Sequence, residues 1–95
     1  MISFEWDNAK NLSNIKKHGI RFEEARTVFL DEGALRFHDP DHSEDEDRFI
    51  MLGLSSHRRI LIVCHCYRED DSVIRIISAR KANKREAGAY GRQGR

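Results

Sequence analysis

The chain has no apolar run approaching the roughly eighteen residues that a membrane-spanning helix needs. Its opening, Met1-Ile2-Ser3-Phe4-Glu5, lacks the basic segment and apolar stretch of a secretory signal. A cytoplasmic location is therefore expected. No glycine-rich phosphate loop is present, and Gly53-Leu54-Ser55-Ser56 lacks the second glycine of a nucleophile elbow. There is no H-E-x-x-H. The two cysteines, Cys64 and Cys66, lack the C-x-x-C spacing of zinc sites. On a strand they would face one way with Cα atoms roughly 6.5–7 Å apart, at the limit for a disulfide. We read them as reduced core thiols, and we expect no metal and no cofactor. Repeats, linkers and low-complexity segments are also absent.

What is present is charge, unevenly placed. The net charge of +1 conceals six acids between Asp39 and Asp47, without a lysine or arginine among them; leaving them out raises it to +7. From Arg75 to Arg95 seven lysines or arginines face only one acid, Glu86. A basic end of this kind suits a polyanion, although a solvated helix face and tail would look the same. The length of 95 residues fits one domain, here residues 1–90, with a flexible basic tail at 91–95.

The elements can be read from spacing. Ser3–Trp6 alternates weakly, as a short edge strand would. Asp7 is a good helix N-cap, Ala9, Leu12 and Ile15 repeat at helical spacing, and Gly19 suits the left-handed residue after a helix. Phe22, Ala25, Val28 and Phe29 define a second helix, so a helical hairpin is expected on one face of a sheet. Leu35–His38 alternates and is stopped by Asp39-Pro40-Asp41, and the acidic segment up to Asp47 should be an exposed loop. Phe49–Leu54, Ile60–Tyr67 and Val73–Ala79 are strands joined by polar, hairpin-length segments. Ile60–Tyr67 is apolar on both faces and should be central. A last helix spans about Asn83 to Tyr90. The fold class is α+β: an antiparallel sheet of about four or five strands, a helical hairpin on one face and a C-terminal helix.

Several side chains could carry chemistry. Lys10, Asn14, Lys17 and His18 form a possible polar stripe on the first helix, or an exposed face whose cations suit the helix C-terminus. His65 interrupts an apolar strand. It is either a buried imidazole bonded to backbone or part of a cleft shared with Tyr67 and polar residues of Val73–Arg80. Arg75 interrupts a β run, which implies that its face is at least partly wet or that it meets an acid or a phosphate. Glu86 and Tyr90 share a helix face. Glu86 could act as a base, but holding Arg80 or Lys84 in place is the stronger reading.

The order of these segments resembles the BrnT family of bacterial toxins. The resemblance runs through Phe4-Glu5-Trp6-Asp7, Lys10, Asn14, Lys17-His18-Gly19, Phe22-Glu23-Glu24-Ala25, Arg48, Arg75-Ile76-Ile77-Ser78-Ala79-Arg80-Lys81-Ala82, Glu86 and Tyr90. Arg21 stands where a small polar cap would be expected. The resemblance implies a RelE-like ribonuclease that needs no metal, acts on RNA and is neutralised by a BrnA-like antitoxin, through which alone it would meet DNA. With the residue reading, which alone contributes His65, Arg68 and Lys84, it places catalysis on Lys17, His18, His65, Arg80, Glu86 and Tyr90, and RNA binding on Lys10, Arg48, Arg68, Lys81 and Lys84. The rival reading is a non-catalytic basic module that binds nucleic acid within a repressor complex.

Overall fold

The computed structural model describes residues 2–42 and 46–92. Strand β1 (Ser3–Glu5) leads into helix α1 (Asn8–His18), then the single turn α2 (Phe22–Ala25), which tightens into a 3-10 helix over Arg26–Leu30. Strand β2 (Leu35–Asp39) and a 3-10 turn (Pro40–His42) precede β3 (Arg48–Leu54), β4 (Ile60–Arg68), β5 (Val73–Lys81) and α3 (Lys84–Arg92). Among the described residues five strands form one sheet in the order β1-β5-β4-β3-β2, so β4 is central, as its two apolar faces require. Strands β2 to β5 pair antiparallel, while β1 pairs parallel with β5. The sheet is thus mixed rather than wholly antiparallel. Helix α3 continues to Arg92, beyond the expected boundary at Tyr90, and residues 93–95 of the expected tail lie outside the described residues.

Ile20, Phe22, Ala25 and Val28 are fully buried against Leu61, Val63, Ile76 and Ala79. These residues form the core between the N-terminal helices and one sheet face. Phe4 and Phe29 add an aromatic pair with ring centroids 5.3 Å apart. Gly53 is required by close approach: a Cβ there would sit 2.8 Å from Val28 Cγ1 and 2.9 Å from Ala34 Cβ.

Helix α1 is capped as its sequence demands. Asp7 accepts from the Lys10 N–H at 3.0 Å, and Gly19 ends the helix at φ 72°. Its buried face is not the one that Ala9, Leu12 and Ile15 suggest. Leu12 is 68% exposed, and the helix residues that are buried are Asn11 and Asn14. The reason lies at the sheet edge. Strand β1 covers β5 only as far as Arg75, so the backbone of Ala79 needs another partner. Asn14 supplies it: Nδ2 donates to the Ala79 carbonyl at 2.8 Å and to the Ile20 carbonyl at 2.9 Å, while Oδ1 accepts from the Ala79 N–H at 3.1 Å. Asn11 Oδ1 accepts from the Phe22 N–H at 2.9 Å, which gives α2 the cap that Arg21 lacks.

Replacing Asn14 with alanine should orphan three buried backbone groups and cost about 3 kcal/mol. Urea unfolding that shows a loss below about 1 kcal/mol would mean that water or a local shift replaces the amide.

Candidate functional site

Because side chains alternate along strands, the sheet has two unlike faces. Leu61, Val63, His65 and Tyr67 of β4 point to the helix-covered face. Ile62, Cys64, Cys66 and Arg68 point to the other, which α3 covers at one end only.

At the edge of the sheet, Lys10, Lys17 and His18 line a shallow hollow of about 190 Å³ with Ser13, Asn14, Ile77 and Ser78. The four-residue polar stripe of α1 is therefore brought together, but its asparagine is a structural bolt. Lys10 and Lys17 are exposed and His18 is half-buried. Gly19 and the Asn14 bonds fix where this helix end stands relative to β5.

The open face carries the arginines. Register sets Ser78 beside Cys64 and Arg80 beside Ile62 on this face, with Arg75 beside Cys66 and Arg48 beside Cys66 on its other flank. Arg75 donates to Glu5 at 2.9 Å, and Arg68 bridges Glu5 at 3.6 Å and Glu46 at 3.3 Å. The wet or acid-paired face implied by Arg75 is thus both. Burial pushes the thiols of Cys64 and Cys66 up, so both favour the protonated form.

Arg80 makes a two-pronged contact with Glu86, Nη1 to Oε1 at 2.8 Å and Nη2 to Oε2 at 2.9 Å. Glu86 Oε1 also accepts from the Asn83 N–H at 2.9 Å, while Asn83 Oδ1 accepts from the Glu86 N–H at 2.8 Å. This is a capping box at the start of α3. The Arg80 guanidinium, ahead of that backbone bond, holds the Glu86 carboxyl down at about 2. Such a carboxylate is a weak base at neutral pH and a good anchor. Tyr90 donates to Asp31 Oδ2 at 2.7 Å, a contact that raises the phenol's pKa, and the same oxygen accepts from the Leu54 N–H at 2.8 Å. Tyr90 therefore pins α3 to the sheet. Lys81 and Lys84 are exposed near the junction of β5 and α3.

His65 lies on the opposite face from Arg75, Ser78 and Arg80, so a cleft shared with them does not form. It is fully buried, with its ring 4.8 Å from that of Phe29. Its Nδ1 lies 3.2 Å from the Val63 carbonyl, which can only accept, so Nδ1 carries the proton. Nε2 then accepts from the Tyr67 hydroxyl at 3.3 Å, and that hydroxyl accepts from Arg36 Nη1 at 3.1 Å. Arg36 also lies over the Phe49 and Tyr67 rings at 4.9 and 5.6 Å. Burial lowers the His65 pKa to about 4. Glu46 and Asp47 border a hollow of about 450 Å³ with Arg36, Phe49 and Tyr67, so this end of the acidic segment flanks the aromatic cluster. Glu44 and Asp45 lie outside the described residues.

Sequence reasoning passed over Glu24. Its side chain is 2% exposed and accepts from Arg59 at 2.8 and 2.7 Å and from Ser55 Oγ at 2.6 Å, with His57 Nδ1 at 2.8 Å. The Arg59 guanidinium is the main reason its carboxyl falls to about 2. A glutamate inside a helical segment gives no local signal of a partner so far along the chain. The cluster ties the β3–β4 hairpin to α2. Among the described residues no group of three or more His, Cys, Asp or Glu is placed to hold a metal ion.

Residues 6–86 match the family described as the ribonuclease toxin, BrnT, of type II toxin–antitoxin systems. The fold is similar to the crystal structure of the Brucella abortus ribonuclease toxin, BrnT, with a TM-score of 0.67 at 23% identity over 88% of this chain and 100% of that one. No curated protein sequence matches the chain.

A buried His65 with its pKa at about 4 leaves a pH signature. Unfolded histidine binds its proton near 6.5, so stability is complete above that and falls as pH drops from 6.5 toward 4, by roughly 3 kcal/mol. The Glu24 contribution is lost only lower, between about 4.5 and about 2. Melting of the chain and of His65→Gln at about pH 7 and about pH 4.5 separates the two. The wild type should lose much more between these points than the variant, and equal losses would place the acid sensitivity elsewhere.

Proposed function

This chain belongs to the BrnT family, the ribonuclease toxins of type II toxin–antitoxin systems, and from that premise we propose that it cleaves RNA without a metal, at the junction of α1 and β5. The family implies an RNA target and an antitoxin partner. We take the partner to be a BrnA-like protein that carries the DNA contact, and the site of action to be the cytoplasm.

The observation that carries this reading is the position of Ser78. It lines the hollow of Lys10, Lys17 and His18, and it shares the open face of β5 with Arg80. A phosphate over Ser78 would meet cations from both sides. RNA brings its own nucleophile. The 2′-oxygen attacks the adjacent phosphorus, the bond to the 5′-oxygen breaks, and a 2′,3′-cyclic phosphate and a 5′-hydroxyl result. The protein has to take the 2′-proton, return one to the 5′-oxygen, and neutralise charge at phosphorus.

His18 is the proton-transferring residue in this scheme, since His65 is enclosed on the other face. Lys17 and Arg80 neutralise the developing charge. Glu86 orients Arg80, and Tyr90 anchors the helix that carries Glu86. Lys10, Arg48, Arg68, Lys81 and Lys84 hold the flanking chain.

Labelled RNA incubated with the protein in EDTA should be cut, leaving cyclic or 3′-phosphate ends. His18→Gln and Lys17→Ala should each lower the rate by roughly 100-fold or more, while melting shifts by only a few degrees, as expected for side chains outside the packed core. Strict dependence on added magnesium would defeat the mechanism. RNA bound but left intact, with affinity falling smoothly with salt, would support the non-catalytic module instead.

A further inference from the structure

Phe37 is an aromatic residue in the middle of a strand, yet it is 49% exposed. It faces the open side of the sheet, in a row that register defines as Phe37, Ile50, Cys64 and Ser78 across β2 to β5. The neighbouring row runs Leu35, Leu52, Ile62 and Arg80. Between these rows and α3 lies a groove of about 440 Å³. Phe37, Ile50, Leu52 and Ile62 form its apolar floor, and Arg80, Asn83, Arg85 and Glu86 stand at its rim. An apolar cavity of this size with a few convergent polar groups is the form of a small-ligand site.

We propose that this groove is a nucleobase subsite, in which an unpaired base of the RNA stacks on Phe37 while its sugar–phosphate chain runs past Arg80. The proposal rests on the cleavage reading above and deepens it by naming single-stranded RNA as the substrate class. Continuity favours this occupant. Arg80 borders both the groove and the row of Ser78, so one strand of RNA can engage the two together. The rim complements it as well, with the Arg85 guanidinium for phosphate, the Arg80 guanidinium held in place by Glu86, and the Asn83 amide able to meet a base edge. Three strand spacings, about 14 Å, separate Phe37 from Ser78. The stacked base therefore belongs to a nucleotide flanking the reactive one. A base in a duplex has both faces covered and cannot occupy the groove.

The test uses a short single-stranded oligodeoxynucleotide, which lacks the 2′-hydroxyl and is not cut, and an abasic chain of equal length. Phe37→Leu keeps the apolar character and removes the aromatic face. It should weaken binding of the base-bearing probe by roughly 5- to 100-fold and leave the abasic probe unchanged. Phe37→Trp should retain affinity, and the added indole fluorescence, read against the wild type with its Trp6, should be quenched by the base-bearing probe alone. Equal binding of the two probes by the wild type, or an introduced indole that the base-bearing probe leaves unquenched, would overturn the subsite even if RNA is still cut. Competition for the groove by a purified antitoxin with no effect of Phe37→Leu on either probe would also overturn it and assign the surface to protein. Failure of the cleavage reading would show separately, as intact RNA in the EDTA assay.

Discussion

The contact on which the arrangement depends is the amide of Asn14. A sheet edge that β1 leaves uncovered beyond Arg75 would expose the backbone of Ala79. One side chain satisfies both its donor and its acceptor and also takes the Ile20 carbonyl at the helix turn. The energetic role and the positional role coincide. An amide bonded at three points fixes the distance and rotation of α1 against β5. The same bonds set Lys17 and His18 beside Ser78. A hydrophobic contact of equal strength would be less directional and would leave the helix free to slide.

The rest of the molecule is built from similar polar ties laid over an ordinary apolar core. Glu24 with Arg59 and Ser55 joins the β3–β4 hairpin to α2. Asp31 binds both Tyr90 of α3 and the Leu54 N–H of β3, and Glu86 with Arg80 joins α3 to β5. Each is a carboxylate held in one geometry by its partners. The consequence is a sheet with one packed face and one face open enough to receive a polyanion, with Arg75 and Arg80 held by carboxylates rather than left to wander.

Much of this was legible in the sequence where the rule is local. The Asp7 cap, the Gly19 stop, the three-strand meander and the central place of β4 follow from spacing and propensity. The family resemblance, carried by segments such as Lys17-His18-Gly19 and Arg75 to Ala82, is upheld by the match over residues 6–86. What was not legible depends on tertiary partners. Leu12 reads as core and is exposed, because the edge that α1 lies against needs an amide and not an apolar side chain. His65 left two readings open, a buried imidazole and a cleft residue. Strand alternation decides between them by turning it toward Phe29 while Arg75 and Arg80 turn away. Glu24 gives no local sign of its buried pairing. In the candidate site, Lys10, Lys17 and His18 could be grouped from helical spacing alone, but the division of His65, Tyr67 and Arg80 between two faces required the register.

Whether RNA engages the α1–β5 junction and the open sheet face, and not the aromatic cluster around His65, is tested most directly by nuclear magnetic resonance with an uncleavable single strand. The His18 ring signals and the Ser78 amide should shift on binding while the His65 ring signals stay in place. Perturbation of His65 and Tyr67 with Ser78 unmoved would contradict this, and would move the site to the opposite face of the sheet.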